Sequence, residues 1–463
     1  MARTNTLTNF LTDVADSIRS KTGKSEPIAC EDFDTEIESI SGGGSANLQT
    51  KSVTITTNTT TNIVPDSGYD GMSSVSVVTN VSGASEPTLG FVVEEWSTKG
   101  RPKKLTMIGD FIYTGINTGL SYYFYNYNST AMYSGWDDLE EVTFRSSSSF
   151  GGLGNGTFYH CRNLKKIILP SSITSLTVSQ NTFAGCEALE TIENLPNTIS
   201  QYGSSIFYGC SLLRLSILPT PTSSTIIANG AFYNCRSLAV SSLPSNITSI
   251  DANAFYGCSN IAISELPSSL TTIGYAAFYN CSKITISCLE YITTSFGNSV
   301  FSGCSLITPT KLSDNLNVNA LNGANGMFRD CTSITKFDFT TSYYIPYSCM
   351  YGCTSLVSVI MENARYIQAN TAANGTFYNC TSLKAAWIGS GITSANFQRY
   401  VFQGCTSLEY IYIDLPRATV EAFTYYSTKW SNNTVPSTCQ VICNDDNNFI
   451  TATEFRNTDW SLV

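Results

Sequence analysis

Residues 255–273 are FYGCSNIAISELPSSLTTI, and this stretch contains every element of a unit that recurs along the chain. An aromatic residue or Met is followed three positions later by Cys, and three positions after that by Leu or Ile. This spacing occurs eleven times between residues 158 and 405, with successive cysteines 22 to 27 residues apart. A period of about 20 to 50 residues is typical of solenoids, whose units bury their apolar faces only against neighbouring units. The repeat therefore predicts a mainly β repeat solenoid.

Each unit of the predicted solenoid contains two short extended segments separated by turns. The Leu or Ile after the Cys begins the first segment, and a Leu-Pro pair such as Leu266 and Pro267 ends it. Because Pro cannot donate a hydrogen bond to a central strand, we place it at the strand exit. A second extended segment follows at residues 270–273.

The composition narrows the classes of partner. The 463 residues carry a formal net charge of −10, and charged residues make up only 13%. Nucleic-acid binding requires clustered Lys and Arg, so we expect no nucleic-acid partner. The first 18 residues lack a signal-peptide pattern, and no run of about 18 apolar residues occurs, so we expect neither export by a signal peptide nor membrane insertion.

Sixteen cysteines are present, and eleven of them occupy the equivalent position of the repeat. Their side chains should run parallel along the solenoid, which does not suit disulfides because bridging Cβ atoms must point towards each other. We therefore predict buried free thiols that pack as small apolar groups. The spacing of Cys439 and Cys443 also suits a metal ion or a disulfide, but no His or second Cys pair lies nearby. We predict no metal site and no cofactor.

The chain divides into five predicted segments. Residues 1–42 show apolar positions every three or four residues, which predicts two short helices that serve as an attachment or oligomerisation module. Residues 43–86 alternate β-branched and polar residues and form a β-rich spacer. Residues 87–130 cap the N-terminal end of the solenoid, residues 131–436 form the repeat solenoid, and residues 437–463 form a C-terminal cap.

Two kinds of repeat differ at the sixth residue after the Cys. Outer units have an apolar residue there, whereas five central units have a hydroxyl residue. The five are Ser216, Ser241, Ser264, Ser287 and Thr310. Two interpretations are open: a ladder of hydrogen bonds that satisfies buried backbone groups, or a row of hydroxyls that contacts a ligand.

Aromatic residues also fall into two groups. The tyrosines that follow the repeat Phe, such as Tyr208, Tyr233 and Tyr256, are assigned to the scaffold. A second group breaks the repeat pattern, and rings of this kind suit sugar stacking or protein recognition. The candidate binding residues are Tyr343, Tyr344, Tyr347, Trp387, Tyr410 and Tyr412. The alternative is that these rings pack in the core or in a cap.

Candidate catalytic residues are few. The single histidine, His160, lies in a repeat turn beside the structural Cys161. Glu190, Glu193, Glu265, Glu290 and Glu409 offer carboxylates that neighbouring turns can bring together, which is the requirement for glycoside hydrolysis. Solvated charges on a binding face are the simpler interpretation, so we predict that the protein is not an enzyme and has no catalytic residues.

The pattern Phe-x-x-Cys-x-x-Leu, then Leu-Pro, then Ile-Thr-x-Ile resembles the BspA-like leucine-rich repeats of bacterial surface proteins and phage. The resemblance covers residues 131–436 and implies an interaction surface for host glycans or proteins. Residues 9–40, with the stretch IRSKTGK, and residues 47–55 are similar to the N-terminal regions of tail proteins from phages and prophages of Gram-positive hosts. That similarity implies attachment to the virion through the N-terminus.

These expectations combine into one functional hypothesis. The protein is predicted to be a phage-type tail or fibre adhesin, a receptor-binding protein whose residues 1–42 attach to a tail or baseplate protein. The solenoid is predicted to bind a glycan or protein on the host surface. The virion is the predicted location, with assembly in the host cytoplasm, and a homo-oligomer is expected, with a trimer as one open possibility. The alternatives are a bacterial cell-surface adhesin and a solenoid enzyme that cleaves glycans.

Overall fold

The computed structural model describes residues 93–98, 102–107, 138–145, 150, 152–289, 291–317, 320–369, 375–398, 400–423 and 435–463, and the backbone alone of residues 51–55, 75–79, 89–92 and 108–109. The predicted helices of residues 1–42 lie outside the described residues. The chain forms two compact units, Met1–Pro196 and Asn197–Val463.

The first unit contains one seven-stranded sheet. Its strands are β1 Lys51–Ile55, β2 Val75–Thr79, β3 Leu89–Trp96, β4 Pro102–Gly109, β5 Glu141–Arg145, β6 Lys166–Ile168 and β7 Thr191–Glu193, hydrogen-bonded in that order. Strands β4 to β7 are parallel, and the register aligns Leu105, Val142, Ile167 and Ile192, all of which are buried. β1 and β2 lie within the predicted spacer, and β2 joins the same sheet through β3.

The second unit contains shorter strands in four sheets and two short helices. The elements are β8 Thr198–Ile199, β9 Thr220–Pro221, β10 Ile226–Ile227, β11 Ser249–Ile250, β12 Thr272–Ile273, β13 Ser295–Phe296, β14 Lys336–Asp338, β15 Tyr344–Ile345, β16 Ser358–Met361, β17 Tyr366–Ile367, β18 Ala385–Ile388, β19 Tyr410–Ile413, α1 Arg417–Glu421, β20 Gln440–Cys443 and α2 Ala452–Asn457. The sheets are β8-β9, β10-β11-β12-β13, β15-β17 and β14-β16-β18-β19-β20. All pairings between these strands are parallel, one turn apart, as the predicted β solenoid requires.

Stacked aromatic rings form the core of each unit. In the second unit the repeat phenylalanines are stacked from turn to turn, with ring centroids 5.2 to 5.9 Å apart and planes within 16° of parallel. The stack comprises Phe207, Phe232, Phe255, Phe278, Phe301 and Phe328. In the first unit Phe158 stacks on Phe183 at 5.8 Å. Burying each ring contributes about 1.5–3 kcal/mol, so the stack is a main source of cohesion between turns.

The repeat cysteines are free and buried, which confirms that prediction. The Cys258 thiol donates to the backbone carbonyl of Phe232 in the preceding turn, with Sγ 2.9 Å from the oxygen. Nine described cysteines make this bond, with Sγ···O distances of 2.9 to 3.1 Å, and we call the set the thiol ladder. Burial raises the pKa of the Cys258 thiol, so the protonated donor is favoured. Cys439 and Cys443 are also free, so they form no disulfide.

The residue immediately before each repeat Cys adopts a left-handed backbone conformation. In the second unit these positions alternate between Gly and Asn or Asp over nine turns, with φ between +57° and +79°. They are Gly209, Asn234, Gly257, Asn280, Gly303, Asp330, Gly352, Asn379 and Gly404. A Cβ on Gly257 would lie 2.3 Å from Oδ1 of Asn234 in the preceding turn. An Asn or Asp therefore requires Gly in the next turn, and this requirement explains the alternation.

The central block, defined as residues 201–310, differs from the flanking turns by a one-residue shift. In β14, Phe337 lies six residues after its Cys and is buried, whereas in the central turns the buried residue lies five after the Cys, as in Val240 and Ile263. The residue six after the Cys is then exposed. Because neighbouring side chains of an extended segment point to opposite sides, burial of the fifth residue places the sixth on the outside.

The paired contact between Asn234 and Gly257 yields a stability prediction. Gly257→Ala should destabilise the protein by about 1–2 kcal/mol through its positive φ, with about 1–3 kcal/mol more through the clash with Asn234. Gly323→Ala is the matched control, because Gly323 has φ +89° but a Cβ added there would meet no atom within 4 Å. The midpoint of urea unfolding measures both effects.

Combining Gly257→Ala with Asn234→Gly should recover the part of the loss that comes from the clash. If Gly257→Ala costs no more than Gly323→Ala, or if Asn234→Gly recovers nothing, the steric explanation of the alternation is wrong.

The thiol ladder yields a second prediction. Iodoacetamide applied to the folded protein should alkylate the exposed Cys288 and leave the eleven repeat cysteines unmodified, because thiol reactivity requires both access and a thiolate. Peptide mass mapping reads each position separately. The same treatment in denaturant should label all eleven, and rapid labelling of Cys258 or Cys281 in the native protein would contradict the buried ladder.

Candidate functional site

Three of the predicted binding residues are partly exposed in the second unit. Tyr344 stacks on Tyr366 with ring centroids 4.5 Å apart and planes 3° from parallel. The guanidinium carbon of Arg365 lies 4.2 Å from the ring centroid of Tyr343. Tyr347 is also partly exposed. One face of each of the Tyr343 and Tyr344 rings is therefore occupied by a partner within the fold.

The other three predicted binding residues lie beneath residues 449–463, which we call the C-terminal segment. Trp387 is 3% exposed and Tyr412 is 6% exposed, and both belong to a buried cluster with Phe455 and Trp460. Nε1 of Trp387 donates to the Ile450 carbonyl at 3.1 Å. For these two rings the structure supports the packing alternative rather than ligand binding. Tyr410 is partly buried, with its ring 6.0 Å from that of Trp460.

The C-terminal segment closes this part of the sheet face. Helix α2 begins with a capping box, in which the Thr451 hydroxyl accepts from the Glu454 N–H and the Glu454 carboxylate accepts from the Thr451 N–H. At the other end of α2, Arg456 pairs with Asp338 at 2.9 Å and with Glu362. The outward face of β16, β18 and β19 is therefore covered by the protein's own C-terminus.

The five central hydroxyl residues remain uncovered. Ser216, Ser241, Ser264, Ser287 and Thr310 are all exposed, and we call them the hydroxyl column. None of these hydroxyls makes a hydrogen bond to another described residue. The interpretation as a ladder that satisfies buried backbone groups is therefore wrong. The hydroxyls are available to an external partner.

A second row of polar groups lies in the same unit. Tyr208, Tyr233, Tyr256 and Tyr279 stack in order, with ring centroids 4.5, 4.7 and 4.7 Å apart and planes within 10° of parallel. We call them the tyrosine column. Tyr208 is 43% exposed and the others are partly exposed. Burial and the neighbouring rings raise the pKa of Tyr256, so the phenol is neutral near pH 7 and can donate a hydrogen bond.

The sequence interpretation assigned the tyrosine column to the scaffold, and its exposure was missed. The signal was present, because each Tyr directly follows an inward-pointing Phe. In an extended or tightly turned chain, neighbouring side chains point to different sides, so a buried Phe places the next side chain outside.

The central block has fewer charged side chains on its surface than the sheet of the first unit. Residues 201–310 contain three basic and three acidic residues among 110, together with 32 serines and threonines. In the first unit the outward positions of the sheet form ion pairs instead, such as Lys166 with Glu193 at 2.8 Å and Lys104 with Glu95 at 2.8 Å. The central block therefore presents a surface with few charged groups and no net charge, whose main recognition chemistry is hydrogen bonding.

The remaining candidates for chemistry are dispersed. His160 packs against Tyr159, with ring centroids 4.3 Å apart, and burial followed by the charge of Arg162 lowers the pKa of its imidazole. Glu193 is engaged by Lys166, while Glu290 lies outside the described residues. Within the described ranges, no group of three His, Cys, Asp or Glu side chains is positioned to hold a metal ion.

No helix in the part of the chain that the structure describes has the length and apolar character needed to cross a membrane.

Comparison with known families identifies the repeat type. The model of the BspA type leucine rich repeat region matches residues 106–223, 225–322 and 322–450, in six copies. These ranges include the hydroxyl column, the tyrosine column and the sheet beneath α2. No curated protein matches the chain.

Two solved structures of leucine-rich proteins are similar to this chain at low sequence identity. A leucine rich cell surface protein from Faecalibacterium prausnitzii is 19% identical, with 74% of this chain and 97% of that chain covered and a TM-score of 0.40. A leucine-rich repeat protein from Bacteroides ovatus is 22% identical, with 67% and 86% covered and a TM-score of 0.43. The family assignment rests on the repeat match and not on these two structures.

Proposed function

This chain belongs to the BspA-type leucine-rich repeat family, and from this membership we propose that it is an adhesin that recognises a neutral glycan or a protein on a cell surface through the central block. The observation that carries the proposal is the hydroxyl column, which is exposed, uncharged and without hydrogen bonds to other described residues. Recognition without catalysis is the proposed activity.

The spacing of the surface groups supports this choice of ligand. Stacked rings in the tyrosine column set the repeat along the surface at 4.5 to 4.7 Å, and the hydroxyl column follows the same turns. An extended chain of sugars or an extended peptide carries polar groups along its length that can meet several hydroxyls of the column. A neutral surface gains specificity from matched hydrogen bonds, because a polar ligand group that is left unpaired on binding costs about 1–3 kcal/mol.

A substitution in the hydroxyl column tests this proposal. Ser264→Arg should reduce binding to the cognate glycan or host-surface extract by about tenfold or more, because a long charged side chain obstructs the column and remains partly desolvated. Ser268→Arg is the matched control, since Ser268 is exposed in the same turn but lies outside the column.

The assay uses the full chain on a glycan array and on whole host cells. Equal binding by wild type and Ser264→Arg would place recognition elsewhere. Equal losses in the two variants would mean that added charge, rather than the hydroxyl column, controls adhesion.

A separate proposal concerns the particle or cell on which this adhesin is mounted. We infer that the protein is a tail or fibre component of a phage-type particle, assembled in the host cytoplasm as a homo-oligomer, with residues 1–42 attached to a tail or baseplate protein. The proposal rests on the resemblance, drawn from the sequence alone, of residues 9–40 and 47–55 to N-terminal regions of tail proteins. The competing setting is the surface of a bacterial cell, which the family membership supports equally.

Particle composition distinguishes the two settings. Purified virions analysed by mass spectrometry should contain the protein, and a variant that lacks residues 1–42 should be absent from particles while its repeats remain folded by circular dichroism. Detection in the cell envelope without particles would favour the bacterial adhesin. Incorporation of the truncated variant would show that attachment does not use residues 1–42.

A further inference from the structure

A cleft lies where the C-terminal segment overhangs β14 and β16 in the second unit. Its volume is 720 Å³, within the range of about 300–1,000 Å³ that is typical of small-molecule sites. One wall consists of residues 455–461, from Phe455 to Ser461, and the other consists of the sheet residues around Lys336 and Ser358. Such a cleft is large enough for a short oligosaccharide.

Of the three basic side chains that line this cleft, two form ion pairs and one does not. Arg456 pairs with two carboxylates, those of Asp338 and Glu362, and Lys311 pairs with Asp314 at 2.9 Å. Lys336 is exposed, and its ammonium group makes no ion pair or hydrogen bond to another described residue.

Asp459, the acidic group whose pKa responds to the charge of Lys336, is already engaged. Its carboxylate accepts hydrogen bonds from the N–H and the hydroxyl of Ser461, and these bonds lower the pKa of that carboxyl, with a smaller contribution from the charge of Lys336. Asp459 stays ionised, but its carboxylate makes no hydrogen bond or ion pair with Lys336, so the ammonium donors of Lys336 remain available to an anion that enters the cleft.

The remaining lining suits a sugar. Thr335, Ser358 and Asn457 supply hydroxyl and amide groups, while Phe455 and Trp460 line the cleft but are only 3% and 5% exposed. Such polar groups can fix the orientation of a bound sugar.

We propose that this cleft binds a carboxylate-bearing sugar unit, with Lys336 as the ligand of the carboxylate. The proposal goes beyond the neutral recognition of the central block, because the ligand is anionic and the site is built by the C-terminal segment. The cleft shares only Thr310 with the hydroxyl column, and the proposal holds or fails whether or not that column is the adhesive surface.

Ligand-observed NMR on the full chain tests the site, with methyl β-D-glucuronide as the probe and methyl β-D-glucoside as its neutral counterpart. The glucuronide should bind at least about tenfold more tightly than the glucoside, since a hydrogen bond to a charged group contributes about 1.5–3 kcal/mol. Lys336→Gln should abolish this preference. Lys283→Gln, which removes the same charge from an exposed site outside the cleft, should leave it unchanged.

A second variant, Ser358→Trp, should block both sugars by filling the cleft. Equal binding of glucuronide and glucoside, or retention of the preference in Lys336→Gln, would overturn the proposal. Binding of a short acidic peptide with no binding of glucuronide would identify a protein partner instead and would also overturn it. The Ser264→Arg variant should keep the glucuronide preference, which separates this test from that of the hydroxyl column.

Discussion

The left-handed turn before each repeat Cys is the constraint on which the solenoid depends. It reverses the chain so that the Phe of the repeat enters the ring stack and the Cys thiol reaches the carbonyl of the preceding turn. Asn tolerates positive φ but projects its side chain over the next turn, where only Gly has room. Backbone conformation, steric contact and thiol bonding therefore fix the same register between turns, and the surface columns follow from that register.

Sequence reasoning recovered the repeat because its determinants are local. Phe255, Cys258 and Ile261 lie within one turn, and their spacing predicts which side chains are buried. The alternation of Gly257 with Asn234 and Asn280 was equally visible in the sequence, but its cause is a contact between neighbouring turns. That contact becomes evident only when the turns are placed in register.

The candidate site was only partly predictable for the same reason. The change from an apolar residue to a hydroxyl six residues after Cys was visible, whereas its exposure depends on the one-residue shift that buries Val240 and Ile263 instead. The burial of Trp387 depends on Ile450, which is 63 residues away in sequence. An aromatic residue that breaks a repeat pattern signals either a ligand or a covering segment, and sequence periodicity does not distinguish the two.

The seventh residue after the repeat Cys differs between the turns that the C-terminal segment covers and the turns of the central block. In the last turns this outward position is Ile360, Trp387 and Tyr412, all buried by α2 and Trp460. In four central turns it is Ile217, Ser242, Glu265 and Cys288, all exposed, and Ile217 is the one large apolar side chain among them. The three adjacent apolar residues would form a continuous exposed patch that favours association, so they require a cover, whereas a single Ile217 beside Ser242 does not.

Asp338 occupies the turn where this seventh position changes from polar to apolar, and it binds Arg456 at one end of α2. The C-terminal segment thus covers the turns in which the seventh residue after the Cys is Ile360, Trp387 or Tyr412. The cleft beside Lys336 lies where that cover ends. The residue at this seventh position therefore distinguishes the turns that the C-terminal segment covers from the turns of the central block, which remain available for recognition.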